Sequence, residues 1–495
     1  MKTIKQFKFT APSIILALLF LASCGSGGEV RVIEDSPQNV SDRGAQQADS
    51  SESFMQLRTG LLEPVDNLDP LFINNLSSKR VLSLIYDGLY TVDENGDVVQ
   101  ALARNTTVSD DSLTYTFEIN TDVFYHDSDA FISGIGRRIQ AADFKWAFER
   151  TAQATVPGHA SELLMNIDGY QDYFEDQRYI YDSSRRALDG VSGIQVVNSQ
   201  TIRFTLIEPD PAFTKKLASP FLSVYPREAL QSQGRSLKTK PVGTGAFRFE
   251  ERNGNTIILV RESPGTDGER LTSPRLNRID FTYFPNESAL FQQFASQNID
   301  WIPEAGPETK RVVISNNRTL APGYRDQYNA HQMGERLVQF YFNETRRTNI
   351  GWLQERMAAV SADSITHSGT LRITSPAAAP EGLQESPDTR YFVTYTTDPY
   401  ARRILTEIQR KYLVPDSEFT LTDVRTPISS TTVYTFSNDA FHERLVPFEA
   451  GAWLRLETPG YGLSHPRVSG IPDVETAWKL FTEDISINQD QASNQ

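Results

Sequence analysis

Hydrophobic and polar residues alternate along several stretches of the chain with the period of two that is typical of β-strands. Apolar side chains recur at every second position in 113–119, in 202–206 and in 279–283. The dipeptide Asn253–Gly254 separates two more alternating stretches, and this pair of residues favours the tight turn of a β-hairpin. These stretches predict strands that each bury one face.

Other stretches place apolar residues three and four positions apart, which is the spacing of one face of a helix. Ser78 is a suitable N-cap for a helix that carries Val81, Leu82, Leu84 and Ile85, because its hydroxyl can accept from a free N–H group of the first turn. Two further helices are predicted over 142–152 and 288–296. Helices and strands therefore follow one another along the chain.

One helix lies between two predicted strands. Asp398 is a suitable N-cap and Pro399 a suitable first residue for a helix that ends at Tyr412. Residues 391–395 and 419–421 are strand-like, so a β-α-β unit is predicted. The sequence thus predicts an α/β class with mixed (α+β) sheets.

The N-terminal segment has the pattern of an export signal. Three lysines precede the apolar run Ser13–Leu21, which is too short for a membrane-spanning helix but suits a signal peptide over 1–23. The run ends in Leu21–Cys24 (LASC), which resembles a bacterial lipobox, so Cys24 is expected to be lipidated. The alternative is an unmodified thiol. Residues 24–53 are rich in Gly, Ser, Gln and Asp and are expected to form a flexible tether.

Length, composition and charge limit the class of protein. A chain of 495 residues is too long for one core, and 39% hydrophobic with 22% charged residues is ordinary for folded soluble proteins. The formal net charge of −15 argues against nucleic acid as a partner, because phosphate backbones require clustered Lys and Arg. Two or three sub-domains are expected.

The residues of known catalytic and metal sites do not occur at their usual spacing. The six histidines are scattered, and the single cysteine allows no disulfide within the chain and no thiolate metal site. Gly243–Gly245 (GTG) is interpreted as a structural turn rather than an anion cradle, since it lies between predicted strands. No enzyme activity, metal or cofactor is expected.

A series of short segments in one order along residues 68–343 resembles the extracytoplasmic solute-binding proteins of family 5, the oligopeptide-, dipeptide- and nickel-binding type of ABC importers. Each segment alone is weakly specific, whereas the ordered series is far more specific. The segments are Leu68–Pro70 (LDP), Ile85–Tyr90 (IYDGLY), Gln100–Ala103 (QALA), Ser109–Phe117 (SDDSLTYTF), Phe124–Asp127 (FYHD), Ala142–Phe148 (ADFKWAF), Pro241–Phe247 (PVGTGAF), Ser296–Asp300 (SQNID) and Gln339–Asn343 (QFYFN).

The resemblance implies a periplasmic-binding-protein type II-like fold of two hinged lobes, with lobe I over 54–300, lobe II over 301–451 and a return to lobe I over 452–495. It also implies an inserted sub-domain at about 100–187. The expected protein is an exported monomer, lipid-anchored on the extracytoplasmic face of the cell membrane, which captures a peptide or similar small solute and delivers it to an ABC permease.

The resemblance also implies the site residues. Two crossovers are expected near 300–303 and 451–456, with Asp300 and Trp301 at the hinge. For each expected ligand-binding residue, the alternative is an ordinary loop or packing role. These residues are Asn74, Asn75, His159, Tyr341 and Asn343.

The second half departs from the family pattern. The family tract W-x-A-D-Y-x-D-P, whose aspartate holds a peptide amino group, has no counterpart, and only about thirty residues separate Val424 from Trp453, so lobe II is expected to be shortened. An alternative function is therefore a non-transport interaction or sensor lipoprotein on the same scaffold that has lost peptide capture.

Overall fold

A computed structural model describes residues 54–231, 236–262, 270–315, 319–342, 370–372, 392–395, 398–403, 406, 419–421, 431–439 and 454–488. The backbone alone is described at 339–342, 370–372, 392–395, 419–421, 431–439 and 454–456. In these ranges, no helix has both the length and the apolar character that crossing a membrane requires.

Strands and helices are interspersed in the first part of the described ranges, and strands predominate from residue 329 onward. The strands are β1 (Gln56–Leu61), β2 (Tyr90–Val92), β3 (Val98–Gln100), β4 (Ala103–Val108), β5 (Thr114–Ile119), β6 (Ile194–Asn198), β7 (Thr201–Thr205), β8 (Phe247–Asn253), β9 (Thr256–Arg261), β10 (Arg278–Tyr283), β11 (Trp301–Ile302), β12 (Asn329–Phe342), β13 (Thr370–Arg372), β14 (Phe392–Tyr395), β15 (Phe419–Leu421), β16 (Thr431–Asp439), β17 (Leu454–Ser464), β18 (Val468–Ser469) and β19 (Ser486–Ile487). The helices are α1 (Leu76–Ile85), α2 (Ala141–Arg150), α3 (His159–Glu162), α4 (Tyr170–Tyr179), α5 (Phe213–Lys216), α6 (Glu228–Gln231), α7 (Glu287–Ala295) and α8 (Pro307–Val313).

One eleven-stranded sheet connects the early and late parts of the chain. Its order is β15-β14-β16-β12-β17-β11-β1-β10-β9-β8, and β13 pairs with β17 off this path. β1 is parallel to both β10 and β11, whereas the long strands β12 and β17 are antiparallel to each other. A smaller sheet has the order β4-β5-β7-β6.

The alternating stretches predicted from the sequence are strands. Tyr115, Phe117 and Ile119 on β5 are buried, and β7 pairs antiparallel with β5. The predicted hairpin is formed by β8 and β9, and Gly254 in its turn has a φ of 56°. β14 and β15 are parallel, and 399–403 between them are helical, as the predicted β-α-β unit requires.

The prediction of Ser78 as the N-cap of α1 is wrong. The helix begins at Leu76, and its N-cap is Asn75, whose side-chain oxygen accepts from the backbone N–H of Ser78 at 2.8 Å. Asparagine and serine are about equally good caps. The sequence pattern therefore predicts the helix correctly, but it does not predict the residue at which the helix begins.

Asp69 of the Leu68–Pro70 segment joins two parts of the fold. It accepts from the backbone N–H of Leu71 at 3.1 Å and forms a buried ion pair with Arg150 at the end of α2. The second nitrogen contact is from Arg150 Nη1 to Asp69 Oδ1 at 2.9 Å, and Arg150 also bonds the Tyr225 hydroxyl at 3.0 Å. This aspartate is therefore structural.

Two hydrophobic clusters lie within the described residues. The larger hydrophobic cluster includes residues from β1, α1, β5, α2 and β7, and the C-terminal side chains Trp478 and Phe481 pack into it. A second cluster gathers Phe294 of α7, Ile302 of β11, Val313 of α8 and Leu463 of β17. The C-terminal segment thus packs against the early strands.

β12 bends at Gly334. The register of β12 against β17 shifts between Gln332 and Glu335, which marks a β-bulge. Gly334 in this bulge has a φ of 66°, and its N–H donates to Val474 O at 2.7 Å. A β-carbon at Gly334 would lie 2.5 Å from Ala477 N and 2.8 Å from Glu475 O, both backbone atoms.

We expect Gly334→Ala to lower the free energy of unfolding by about 2 kcal/mol or more, because left-handed backbone costs roughly 1–2 kcal/mol for alanine before any clash is counted. Gly254→Ala is the matched control. Its φ of 56° is similar, but a β-carbon there meets nothing within 4 Å. Urea unfolding of both variants separates the cost of the left-handed backbone, which both share, from the cost of the clash, which only Gly334→Ala has. Equal destabilisation would show that the contact with residues 475–477 does not constrain the bulge.

Candidate functional site

Five charged side chains are buried together near the ends of β1 and β11, and one of them comes from β12, which β17 separates from β11 in the sheet. β1 and β11 are parallel neighbours, so the residues that follow each strand lie at the same edge of the sheet. The side chains, here called the junction cluster, are Glu63 after β1, Arg80 in α1, Glu304 after β11, Arg336 in β12 and Asp398 before the helix at 399–403. Each exposes 8% or less of its side chain.

Arg336 is the centre of the junction cluster. Its Nη1 lies 2.6 Å from Glu304 Oε2 and its Nη2 lies 3.1 Å from Glu63 Oε1. The same Nη2 pairs with Asp398 Oδ2. Arg80 bonds Glu304 Oε2 through Nη1 at 2.8 Å and the carbonyl of Ala477 through Nε at 2.8 Å. The cluster therefore ties five distant segments together.

The charges in the junction cluster do not balance if all its carboxyls are ionised. Burial raises the pKa of Glu63 to about 7, although Arg336 opposes this shift. Burial alone would also raise the pKa of Glu304, but Arg336 and Arg80 outweigh it and hold the pKa below its ordinary value. Of the two glutamates, Glu63 is therefore the one that retains its proton more readily.

Tyr400 completes the cluster on one side. Its ring centroid lies 5.1 Å from the guanidinium carbon of Arg336, and its hydroxyl donates to Ala305 O at 2.8 Å. Burial raises the pKa of Tyr400 well above its usual value, so the hydroxyl stays protonated. Throughout the described residues, no group of three or more His, Cys, Asp or Glu side chains could hold a metal ion.

A narrow pocket, whose enclosed space of about 10 Å³ is close to what one water molecule needs, opens beside the junction cluster. Two buried atoms on its lining residues, Arg80 Nη2 and Glu304 Oε1, have no hydrogen-bond partner among the described residues. The remaining lining is largely apolar or small. The pocket is lined by Gly60, Leu61, Leu62, Glu63, Ser77, Arg80, Glu304, Arg336 and Pro399.

The two predicted asparagines, Asn74 and Asn75, come directly before α1. They lie close in sequence to Ser77, which lines the pocket. The Asn75 side chain is buried, caps α1 and donates to Pro64 O at 2.8 Å. Asn74 is exposed, and its side-chain oxygen accepts from Asn75 Nδ2 at 3.0 Å. Asn75 is thus engaged in local structure, and a ligand contact by either residue stays a prediction.

The other predicted ligand residues are spread more widely. His159 is half-buried at the start of α3, and burial together with the Lys79 ammonium lowers its pKa. Tyr341 lies on β12, where its backbone pairs with Tyr434. Asn343 lies outside the described residues, as does Cys24. None of these ligand assignments is tested by the geometry.

Asp300 and Trp301 are firmly held. Asp300 accepts from the backbone N–H of Arg58 at 2.9 Å and from its Nη2 at 2.8 Å, and it also pairs with Arg467. Burial alone would raise the pKa of Asp300, but these two arginines lower it overall. Trp301 is buried between Thr59 of β1 and Ser464 of β17. Their role at a hinge stays a prediction.

Sequence reasoning missed four of the five residues in the junction cluster and identified Asp398 only as a helix cap. One signal was available. Lys79 and Arg80 lie near the N-terminus of α1, whose first turn contains no acidic residue. Basic residues near the positive end of a helix are disfavoured. Lys79 and Arg80 are therefore expected to pair with carboxylates from elsewhere in the chain.

Comparison with solved structures identifies the fold. The murein tripeptide binding protein MppA of Escherichia coli superposes with a TM-score of 0.65 at 14% sequence identity, over 88% of this chain and 99% of MppA. The fold is that of the type II periplasmic binding proteins.

The chain belongs to the bacterial extracellular solute-binding proteins, family 5, whose middle domain matches residues 97–351. It is 31% identical over 174 residues to di/tripeptide-binding protein 4 of Pseudomonas aeruginosa, which is 34% of this chain and 30% of that protein. It is 28% identical over 212 residues to the glutathione-binding protein GsiB of Salmonella typhimurium, covering 43% and 35% of the two chains. The chain thus spans about a third of the length of these relatives.

Proposed function

We propose that the chain is the substrate-binding lipoprotein of an ABC importer, which captures a peptide or similar small solute between two lobes and delivers it to a permease. Family membership supports this function, as do the peptide-binding names of its relatives. The observation that carries it is the match of residues 97–351 to the family. The pocket agrees with it, because its lining combines Glu63 and Arg80 from 54–300 with Glu304 and Arg336 from 301–451. The same observations favour capture over the sensor alternative.

The proposed lobes follow the boundaries expected from the sequence. Lobe I takes 54–300 with an insertion at about 100–187 and the return segment 452–495, and lobe II takes 301–451. A solute that contacts both lobes stabilises the closed form only by its differential affinity for that form. Asp300 and Trp301 would hold the crossover between the lobes while the bulge at Gly334 accommodates bending of β12.

Export and anchoring are part of the same proposal. Residues 1–23 would be removed as a signal peptide, Cys24 would carry the lipid, and 24–53 would link the anchor to the folded body. Stable anchoring requires more than one acyl chain, which a diacylated cysteine supplies. The protein would then act on the extracytoplasmic face of the membrane as a monomer.

Binding is tested by thermal unfolding of the purified full chain in the presence of defined di- and tripeptides. We expect a peptide at a hundred times its Kd to stabilise the protein by about 2.7 kcal/mol and so to raise the Tm. Free amino acids of the same composition are the control, with nickel–histidine complexes and sugars as competing solutes. An unchanged Tm with every one of these compounds would contradict the proposed function.

A further inference from the structure

Two large apolar side chains protrude from one loop, residues 127–136, here called the apolar loop. Ile132 is fully exposed and Ile135 exposes 64% of its surface. The loop has internal structure, because the N–H of Gly134 donates to Phe131 O at 2.9 Å and the Phe131 side chain is buried. The apolar loop thus buries its phenylalanine and holds both isoleucines in solvent. Exposed apolar side chains that project together are typical of a contact surface.

The charged side chains at the base of the apolar loop are paired. Asp129 forms an exposed ion pair with Lys240 at 3.0 Å. Arg137, which directly follows the loop, pairs with Glu228 at 2.7 Å. An apolar tip above a base of compensated charges can enter an apolar layer without leaving an unpaired charge behind. The contact therefore does not require acidic lipid headgroups, which the formal net charge of −15 would disfavour.

The apolar loop lies at the edge of the large sheet where the folded body begins. Phe54 is exposed and precedes β1 by two positions. β1 and β10 are parallel and β9 is antiparallel to β10, so the start of β1 and the end of β9 share this edge. Glu262 follows β9, and its Oε1 accepts from Asp127 N–H at 3.2 Å. β9 is two strands from β1, which is about 10 Å at roughly 4.8 Å per strand.

On this basis we propose that the apolar loop is a membrane-contact site, at which Ile132 and Ile135 enter the interfacial layer of the bilayer that carries the protein's own lipid anchor. The inference rests on the proposed anchoring at Cys24 and goes beyond it by assigning a second contact with the same membrane. A flexible polar chain of the length proposed for 24–53 spans roughly 30 Å on average, so it allows this edge of the sheet to reach the bilayer.

The contact depends on the anchor for its strength. Two isoleucines bury little apolar area in a bilayer, and membrane binding scales with that area, so the unanchored chain binds weakly. An anchored chain meets the bilayer at an effective concentration in the millimolar range, which makes a weak second contact significant. The apolar loop would then hold one edge of the folded body against the membrane.

Hydrogen exchange measured by mass spectrometry tests this contact. Cys24 is the only cysteine, so the mature chain from Cys24 onward couples at one position to a maleimide lipid in phosphatidylcholine vesicles. We expect the backbone amides of the apolar loop to exchange roughly threefold more slowly on the vesicles than in the uncoupled chain, as for a contact that forms about two thirds of the time. Because apolar insertion drives the contact, high salt should leave the slowing unchanged.

Substitutions at the exposed positions identify the side chains responsible. Replacing both isoleucines in one chain, Ile132→Ser with Ile135→Ser, should abolish the slowing. Val312→Ser is the matched control and should retain it, because Val312 exposes 57% of its surface and lies on α8. α8 follows β11, which runs parallel to β1, so α8 lies beyond the opposite edge of the sheet. Thermal unfolding verifies that both variants fold.

Unchanged exchange on the vesicles would overturn the membrane contact, and so would a slowing that persists in the double variant. Loss of the slowing at high salt would overturn it too, because charge would then drive the contact. Slowing that grows with the concentration of the uncoupled chain would mean that the loop binds a second copy instead. The maleimide lipid replaces natural acylation, so mass spectrometry of Cys24 in protein from native membranes tests the proposed anchoring separately.

Discussion

Replacing Arg336 with methionine is expected to destabilise the folded protein by about 3–5 kcal/mol, the usual cost of removing one partner from a buried ion pair. Arg336 is 1% exposed and contacts three carboxyl groups, so its loss leaves them facing one another with only Arg80 to compensate. Methionine preserves much of the volume, so the change in the free energy of unfolding reports mainly the lost charge. Urea unfolding at neutral pH measures it.

Two further variants sharpen the test of Arg336. Arg104→Met is the control, because the Arg104–Asp122 pair is exposed and such pairs contribute about 1 kcal/mol or less. Glu63→Gln added to Arg336→Met removes one of the repelling carboxyls and should restore part of the lost stability. If the single variant Arg336→Met were as stable as Arg104→Met, the junction cluster would not stabilise the packing of its five segments against one another.

Glu63→Gln is expected to change how stability depends on pH. Burial raises the pKa of Glu63 from 4.5 to about 7, so the folded protein binds this proton more tightly than the unfolded chain. The resulting stabilisation is complete below about pH 4.5 and is lost as pH rises through about 7. Each pKa unit corresponds to about 1.4 kcal/mol, so the loss is on the order of 3 kcal/mol.

Glutamine mimics the protonated carboxyl, so the stability of Glu63→Gln relative to wild type should rise between pH 5 and pH 8. Other groups with shifted pKa values include Glu287 and His126. Burial raises the pKa of Glu287 to about 7, with the same sign as Glu63, and burial lowers the pKa of His126 to about 3, so its contribution is lost as pH falls below about 6.5. Both groups are present in both proteins, so their contributions cancel. If the difference in stability between Glu63→Gln and wild type were the same at pH 5 and pH 8, the proton bound by Glu63 would not stabilise the folded protein.

Local patterns identified many of the elements, because helices and hairpins depend on residues close in sequence. The α1 helix, the β8–β9 hairpin and the parallel pair β14–β15 follow from spacing, turn residues and capping residues. Even so, the cap of α1 was misplaced, since Asn75 and Ser78 are chemically similar candidates and only the backbone geometry decides between them.

The junction cluster could not be read from the sequence in the same way. Glu63 and Arg336 are 273 positions apart, and their contact depends on the order β12-β17-β11-β1 in the sheet. Neither Glu63 nor Arg336 belongs to a recognisable motif, and neither stands at a diagnostic spacing from other residues. By contrast, the family resemblance came from short ordered segments over residues 68–343, most of which lie within the residues 97–351 that match the family.

Small-angle X-ray scattering of the purified protein, with and without a peptide that raises its Tm, tests whether the chain closes around its solute. We expect the radius of gyration to fall when the peptide is added, because two hinged halves approach each other, and to return when the peptide is removed by dialysis. An unchanged radius of gyration at saturating peptide would contradict capture between moving lobes.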